Sequence, residues 1–479
     1  MLELITNRGD LKAELYELVR FFDPIGSEVG EVNFTYLRRG TVDFFVKVCG
    51  KEYFYSYPPI VAKDKLDFVR QDLKMNKTAL YSALSTYYGK TLPWGSLTGI
   101  RPTRVLARLM SEGLPLGKAA TVLRDEYFVS PEKAQLAAAC VRMQQKSVRD
   151  RLLVASNGDS ENAVNLYIHI PFCPTRCSYC SFVSAAVEKQ KWLLSPYVDA
   201  LVTEIELTKR MLAEHGKTIF SVYIGGGTPT VLDAPLLYKV LSAAAVDGVE
   251  FTCEAGRPDT ITEEKLAVLS ACGVNRISIN PQTLHDETLA KIGRAHSVEQ
   301  FFRAYELAEK FGFAKNVDLI AGLEDETPAD FRASLCGVAA LQPENITVHT
   351  LCIKRGSRNA DAFRGFNTSV REMVDDSVRI LPEEGYAPYY LYRQKQAAEN
   401  LENVGWCKSG FLCVNNVTVM EETLSVFACG AGAIGKHLCA GGRIERFANP
   451  KDVLLYLNEF SERMEKKQKF YENQFTIKG

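Results

Sequence analysis

The chain has 479 residues, 46% apolar and 24% charged, too long for one ordinary core and predicting two or three globular domains. Its 57 Lys and Arg against 58 Asp and Glu exclude a nucleic-acid coat or a membrane sheet as main partner, and no uncharged apolar run is long enough for a membrane helix. Thirteen cysteines in so long a chain are not a disulfide framework; with Glu3, Arg8 and Asp10 breaking any signal-peptide core, the expectation is reduced thiols in a cytoplasmic protein.

Residues 1–60 read as a small α+β unit. Residues 11–22 carry apolar side chains at helical spacing, closed by Asp23-Pro24. Residues 32–37, 42–48 and 53–57 read as a strand meander, with turns at Arg38-Arg39-Gly40 and Gly50-Lys51. From 64 to 151 the pattern is helical, and Ser130-Pro131-Glu132 starts a helix running toward Gln145. Residues 92–103 interrupt it with a rigid loop, read as a structural connection in preference to a ligand-closing or docking loop. Nothing in this first third carries recognisable chemistry.

The polar run 156–162 is the predicted joint between domains, giving an N-terminal α+β domain over 1–155. Strand patterns then recur at 165–170, 220–225, 249–254, 274–279, 317–321 and 346–351, with helical patterns between them, clearest at 197–215, 301–311 and 331–341. Repeated β-α units imply a parallel sheet with right-handed crossovers. Six units fall short of the eight of a closed barrel, so the expectation is an α/β fold, a partial (β/α)6 barrel over 163–384, with functional loops at the strand C-terminal ends. From 385 the pattern changes: an aromatic run (Tyr386, Tyr389, Tyr390, Tyr392), a Gly-rich stretch (430–435) and a charged helix (453–467) predict a C-terminal cap over the barrel's open side, 385–479.

The first barrel strand runs into Cys173, Cys177 and Cys180, spaced C-x3-C-x2-C on one short loop. Three thiolates leave one iron of a [4Fe–4S] cubane without a protein ligand. Such an iron can be chelated by the amino and carboxylate groups of S-adenosylmethionine (SAM), whose sulfonium the cluster electron then cleaves. Structural zinc would normally bring a second ligand pair downstream, and none follows; unrelated buried cysteines fit this spacing least.

Further motifs fall at the later strand ends. Gly225-Gly226-Gly227-Thr228-Pro229-Thr230 follows the second strand, its glycines permitting backbone approach to a polar head group. Glu254 ends the third, a carboxylate for an ammonium or a ribose hydroxyl. Pro281-Gln282 and Gly293-Arg294 follow the fourth, and Asp318 lies inside an otherwise apolar fifth strand, costly unless paired.

The loop 173–180 resembles the radical SAM signature, and the longer string 167–180 resembles the oxygen-independent coproporphyrinogen III oxidases, or coproporphyrinogen dehydrogenases, the likeness extending to about Lys436. It implies decarboxylation of coproporphyrinogen III to protoporphyrinogen IX through a 5′-deoxyadenosyl radical, in anaerobic heme biosynthesis. The implied cofactors are a [4Fe–4S] cluster on Cys173, Cys177 and Cys180 and two SAM molecules. Tyr167, Gly226 and Glu254 match contacts to the cluster-bound SAM. Tyr179, Gly227, Thr228, Gln282, Arg294 and Asp318 match contacts to the second, and Cys352 and Ile434 match further SAM contacts. The implied partners are a tetrapyrrole substrate and an electron donor such as flavodoxin or ferredoxin, with no nucleic acid or membrane, for a monomer. Arg257, Lys354, Arg355 and Arg393 are candidate cations for the substrate carboxylates. In one respect the chain departs from the family: Phe182 stands where its type sequence has a further Cys. Branches with the shorter motif act as heme-binding chaperones, the alternative function, for which His169 and His349 are candidate axial ligands. Radical chemistry on RNA is disfavoured because no basic patch is present.

Overall fold

In the run Val42–Val48, buried residues alternate with more exposed ones, the period that makes a strand one-sided. It is the middle of an N-terminal meander in the computed structural model, which describes residues 2–23, 28–99, 101–155, 162–180, 185–352, 369–395, 397–439 and 443–476. Four strands, β1 (Leu2–Thr6), β2 (Gly30–Arg38), β3 (Val42–Val48) and β4 (Lys51–Tyr57), pair in that order, β1 parallel to β2 and the rest antiparallel. The helix Lys12–Phe22 crosses between β1 and β2 and buries Leu15, Leu18, Val19 and Phe22. That stripe meets Phe34, Phe44 and Val46 of the sheet and Leu80 and Leu84 of the helix Lys65–Tyr88 in one core. Asp64 starts that second helix by accepting from the Asp67 N–H, and Gly89 ends it at φ 62°. Strand β1 lies outside the predicted elements, its five residues being too short a run to register.

The chain divides into two compact units. The first comprises Met1–Val141, Ala362–Arg371 and Leu391–Glu402; the second comprises Arg142–Asp361, Glu372–Tyr390 and Asn403–Gly479. In the first, Trp94 is wholly buried and donates Nε1–H to Glu402 at 2.7 Å, while Lys133 pairs with Glu402 at 2.6 Å. The loop 92–103 is thus a structural connection in this unit. Arg393 also belongs here: it is 2% exposed and donates to the carbonyls of Leu97 at 2.6 Å and Asn400 at 3.2 Å. As a cation reserved for substrate carboxylates it is corrected: it is spent on backbone, and burial pulls its pKa down to about 10.

The second unit is built on parallel strands β5 (Ala163–Ile170), β8 (Thr218–Gly226), β9 (Glu250–Cys253), β10 (Arg276–Ser278), β11 (Ala314–Ala321) and β12 (Asn345–Thr350), each beside the next. The two-residue strands β6 (Phe172–Cys173) and β7 (Ala185–Ala186) pair after β5. Helices cover the faces, so β5 is buried at seven of its eight positions, as expected of a strand sealed on both sides. Helix starts are written in the sequence: Ser297 and Thr327 each close a reciprocal capping box, the latter with Pro328 at the first helical position. Sequential parallel strands with helical crossovers form an open α/β partial barrel. The C-terminal residues extend the sheet at its edges. Of β14 (Glu402–Cys407) and β13 (Ala387–Arg393), the parts in this unit, 403–407 and 387–390, follow β12, whereas β15 (Ser425–Cys429), parallel to β5, leads to β16 (Ile434–Leu438) and β17 (Ile444–Ala448) on the other side. Among the described residues no helix is long and apolar enough to cross a membrane.

Candidate functional site

Strand β5 delivers its chain through Pro171 into the cysteine loop, and the loop is pinned from two sides. Segment 292–293 accepts from Ser178 N–H at 2.9 Å and from Thr175 Oγ1 at 2.9 Å. Arg257 donates to Thr175 Oγ1 at 3.1 Å, lies 3.9 Å from Cys177 Sγ and is itself held by Asp259 at 3.0 Å. Cys177 is buried, Cys173 and Cys180 are half-buried, and Thr228 Oγ1 stands 3.6 Å from Cys173 Sγ. At 3% exposed, Arg257 is corrected too: it is a brace of the cysteine loop, not an open cation awaiting substrate. Lys354, Arg355 and Phe182 lie outside the described residues.

The glycine loop after β8 wraps this end. Its backbone donates from Gly227 to Ile170 O and from Thr228 to Phe172 O, each at 2.7 Å. A Cβ on Gly227 would stand 2.4 Å from Phe172 O, so only glycine allows the approach. Gly226, at φ 105°, leaves no room for a Cβ against the His169 ring, which would lie 2.5 Å away.

Behind the loop lies a first polar group. Tyr167 shares a hydrogen bond with His169 Nδ1 at 2.9 Å and stacks beside Tyr223, its register partner across β5 and β8. Tyr223 donates to Glu254, which also accepts from Gly226 N–H at 3.3 Å. Glu254 sits deep but only partly covered, with no cation bonded to it among the described residues. Burial, then the charge of Asp318, pushes its carboxyl up to about 7 against the pull of the Tyr223 and Gly226 bonds. Burial likewise raises the phenols of Tyr167 and Tyr223.

A second group forms at the ends of β10 and β11. Arg294 donates to Tyr179 Oη at 3.3 Å, to Asn280 O at 2.5 Å and to Gly256 O at 3.3 Å. Asn280 Oδ1 accepts from Asp318 N–H at 3.1 Å, Asp318 O accepts from Gln282 N–H at 3.1 Å, and Asp318 stands 3.5 Å from His349 Nε2. Gln282 takes φ 71°, uncommon for a residue with a side chain. Its Oε1, and Arg294 Nε, are buried without a partner among the described residues; such atoms ask for a ligand. Tyr167, Gly226 and Glu254 therefore converge, as do Tyr179, Gln282, Arg294 and Asp318, while Gly227 and Thr228 lie against the cysteine strand. Cys352 is half-buried just beyond β12, and Ile434, 45% exposed, opens β16. Tyr223, Asn280, Asp259 and Thr175 escaped the sequence reading. The pairing of Tyr167 with Tyr223, and Asn280 directly before Pro281-Gln282, were the available signals.

The donor set suits an iron–sulfur cubane and SAM: three cysteines beside a guanidinium, a close-packed glycine loop, a carboxyl with no cation bonded to it among the described residues, and buried polar atoms without a partner there. Among the described residues no three Cys, His, Asp or Glu side chains are grouped around a single point as one ion requires; a cubane takes one thiolate at each of three irons.

Residues 167–335 match the Radical SAM superfamily. The chain is 41% identical over 404 residues to the oxygen-independent coproporphyrinogen-III oxidase-like protein HemZ of Bacillus subtilis, covering 82% of this chain and 79% of that one. It is 31% identical over 281 residues to the heme chaperone HemW of the same organism, 56% of this chain and 70% of the relative. Coproporphyrinogen III oxidase (HemN) from Escherichia coli, a solved structure, aligns at 22% identity and TM-score 0.49 over 65% of this chain and 72% of that one.

Proposed function

Because the chain belongs to the oxygen-independent coproporphyrinogen III oxidase-like family of radical SAM proteins, which use a [4Fe–4S] cluster and SAM, we propose that it decarboxylates coproporphyrinogen III to protoporphyrinogen IX. The observation that carries this reading is the cysteine loop beside a glycine cradle and a cation-free carboxyl at one strand end. The cluster and SAM, when bound, would supply one-electron chemistry that takes a hydrogen from each of two propionate arms; each arm then loses carbon dioxide and one electron, the latter to an external one-electron acceptor, leaving vinyl groups. Cys173, Cys177 and Cys180 would hold three irons, with the Arg257 guanidinium 3.9 Å from Cys177 Sγ. Glu254 accepts the SAM ammonium, and Gly226 N–H, which donates to Glu254 at 3.3 Å, holds that carboxyl in place. Tyr179, Gly227, Thr228, Gln282, Arg294 and Asp318 receive a second SAM, one for each arm. The cation that steadies the tetrapyrrole carboxylates is neither Arg257 nor Arg393, which leaves Lys354 and Arg355 for the role, with a flavodoxin or ferredoxin as electron donor.

A second reading, heme carriage, is favoured by the HemW likeness and by Phe182 in the place of a Cys. Its ligand would not be His169, whose ring is enclosed by Gly226 and bonded to Tyr167. Anaerobic turnover of the reconstituted protein with coproporphyrinogen III, SAM and a reductant separates the two. Vinyl product with methionine release is expected; heme retained with no vinyl product would replace this reading with the carrier.

A further inference from the structure

The first unit holds an open cleft of about 430 Å³ whose lining belongs entirely to that unit. The helix Lys12–Phe22 is two-faced. Leu15, Leu18, Val19 and Phe22 enter the core, while Tyr16, Glu17 and Arg20 turn another stripe to the cleft. Across from them stand Lys90, Arg371, Lys395, Glu399 and Asn400. Four cations thus face two carboxylates. Lys395 approaches Glu17 at 3.6 Å, and Glu399 accepts from Arg371 N–H at 3.2 Å, so even with both carboxylates engaged the lining keeps a positive excess.

One lining residue carries a donor that the described residues leave unsatisfied. Asn400 is 5% exposed, yet its Nδ2 has no hydrogen-bond partner among the described residues, a cost that an acceptor would remove. The backbone there is also held in an unfavourable form. Glu399 and Asn400 are consecutive non-glycine residues at φ 47° and 57°, strain that persists only where the surroundings impose it. Arg393 does so by clamping Asn400 O.

We propose that this cleft binds a dianionic organic ligand, a phosphate monoester or a pair of carboxylates on an apolar body, its anion accepting from Asn400 Nδ2 among the cations and its body resting against Tyr16 and Phe21. The volume falls within the range of small-molecule sites. The inference stands apart from the reaction proposed above and does not depend on it.

Isothermal titration of the full reconstituted chain, with SAM in excess to fill the strand-end site, tests it with two probes. AMP represents the phosphate source and phthalate, two carboxylates on an apolar ring, the carboxylate source. The wild type takes up at least one of them, and Asn400→Gly and Lys395→Glu each weaken that probe by about tenfold or more. Asn400→Gly keeps the left-handed backbone, and Lys395→Glu, at a side chain 66% exposed, melts as the wild type does, so its lost binding is not lost folding. Neither probe bound at about 1 mM, or Asn400→Gly binding as the wild type does, overturns the proposal.

Discussion

Two glutamates, one in each unit, show how the same side chain is set to opposite purposes. Glu402, in the first unit, is wholly buried with Lys133 at 2.6 Å and Trp94 at 2.7 Å. Burial pushes its carboxyl up, but Lys133 and the two side-chain bonds bring it below the ordinary range. Glu254, in the second unit, is less covered yet far harder to ionise, its carboxyl pushed up to about 7. What differs is the cation: Glu402 has one, while Glu254 has a phenol and a backbone N–H. Coverage alone would predict the reverse order. A carboxyl without a counter-ion at a strand end suits a positive ligand, the role proposed for Glu254, whereas a carboxylate with its lysine is structure.

The contrast can be broken from either side. The largest effect is expected from Lys133→Met, which leaves Glu402 buried without its cation and should cost about 3–5 kcal/mol in denaturant unfolding. A loss below about 1 kcal/mol would show the pair contributing little. Glu254→Gln should act in the opposite sense on the ligand-free protein. A carboxyl raised on folding gives its full stability below its unfolded value near 4.5, and that stability falls as pH climbs to about 7. At pH 8 the cost is about 3 kcal/mol if fully buried and nearer 2 for a partly covered group. Glu254→Gln should therefore raise stability by roughly that amount at pH 8, with no gain at pH 4. SAM binding to the wild type should correspondingly weaken below pH 7, by up to about tenfold per unit as Glu254 takes up its proton; a flat profile between pH 6 and 8 would separate Glu254 from the ammonium. Arg257→Ala should lower iron retention and SAM cleavage together, because the cysteine loop loses its brace, rather than weaken substrate binding with SAM cleavage intact. Trp94→Phe removes one charge-assisted bond to Glu402 and should cost about 1.5–3 kcal/mol, less than Lys133→Met.

What the sequence disclosed and what it withheld divide along physical lines. Strands 165–170, 220–225 and 317–321, the glycine loop and the cysteine spacing are local patterns, and local patterns are legible. Gln282, just past a strand end, and Asp318, inside an apolar strand, stood out on the same grounds, and Arg294 for its planar fork. Arg257 was misread because a charged residue in a loop looks alike whether it meets solvent or lies 3.9 Å from a thiol. The pairing of Trp94 with Glu402 spans 308 residues, and no local pattern reports it. Strands β13 to β17 likewise read as a separate cap, since nothing in their periodicity tells which sheet edge they extend. The cleft beside Asn400 was hidden in a helix whose apolar stripe accounted for it on its own.

Electron paramagnetic resonance of the anaerobically reconstituted, reduced protein, recorded with and without SAM, tests the central claim most directly. A [4Fe–4S] signal that changes when SAM is added, and that is absent in Cys177→Ser, is the result predicted for an iron left open by three thiolates. Protein that carries zinc instead, or a cluster signal indifferent to SAM, would contradict it.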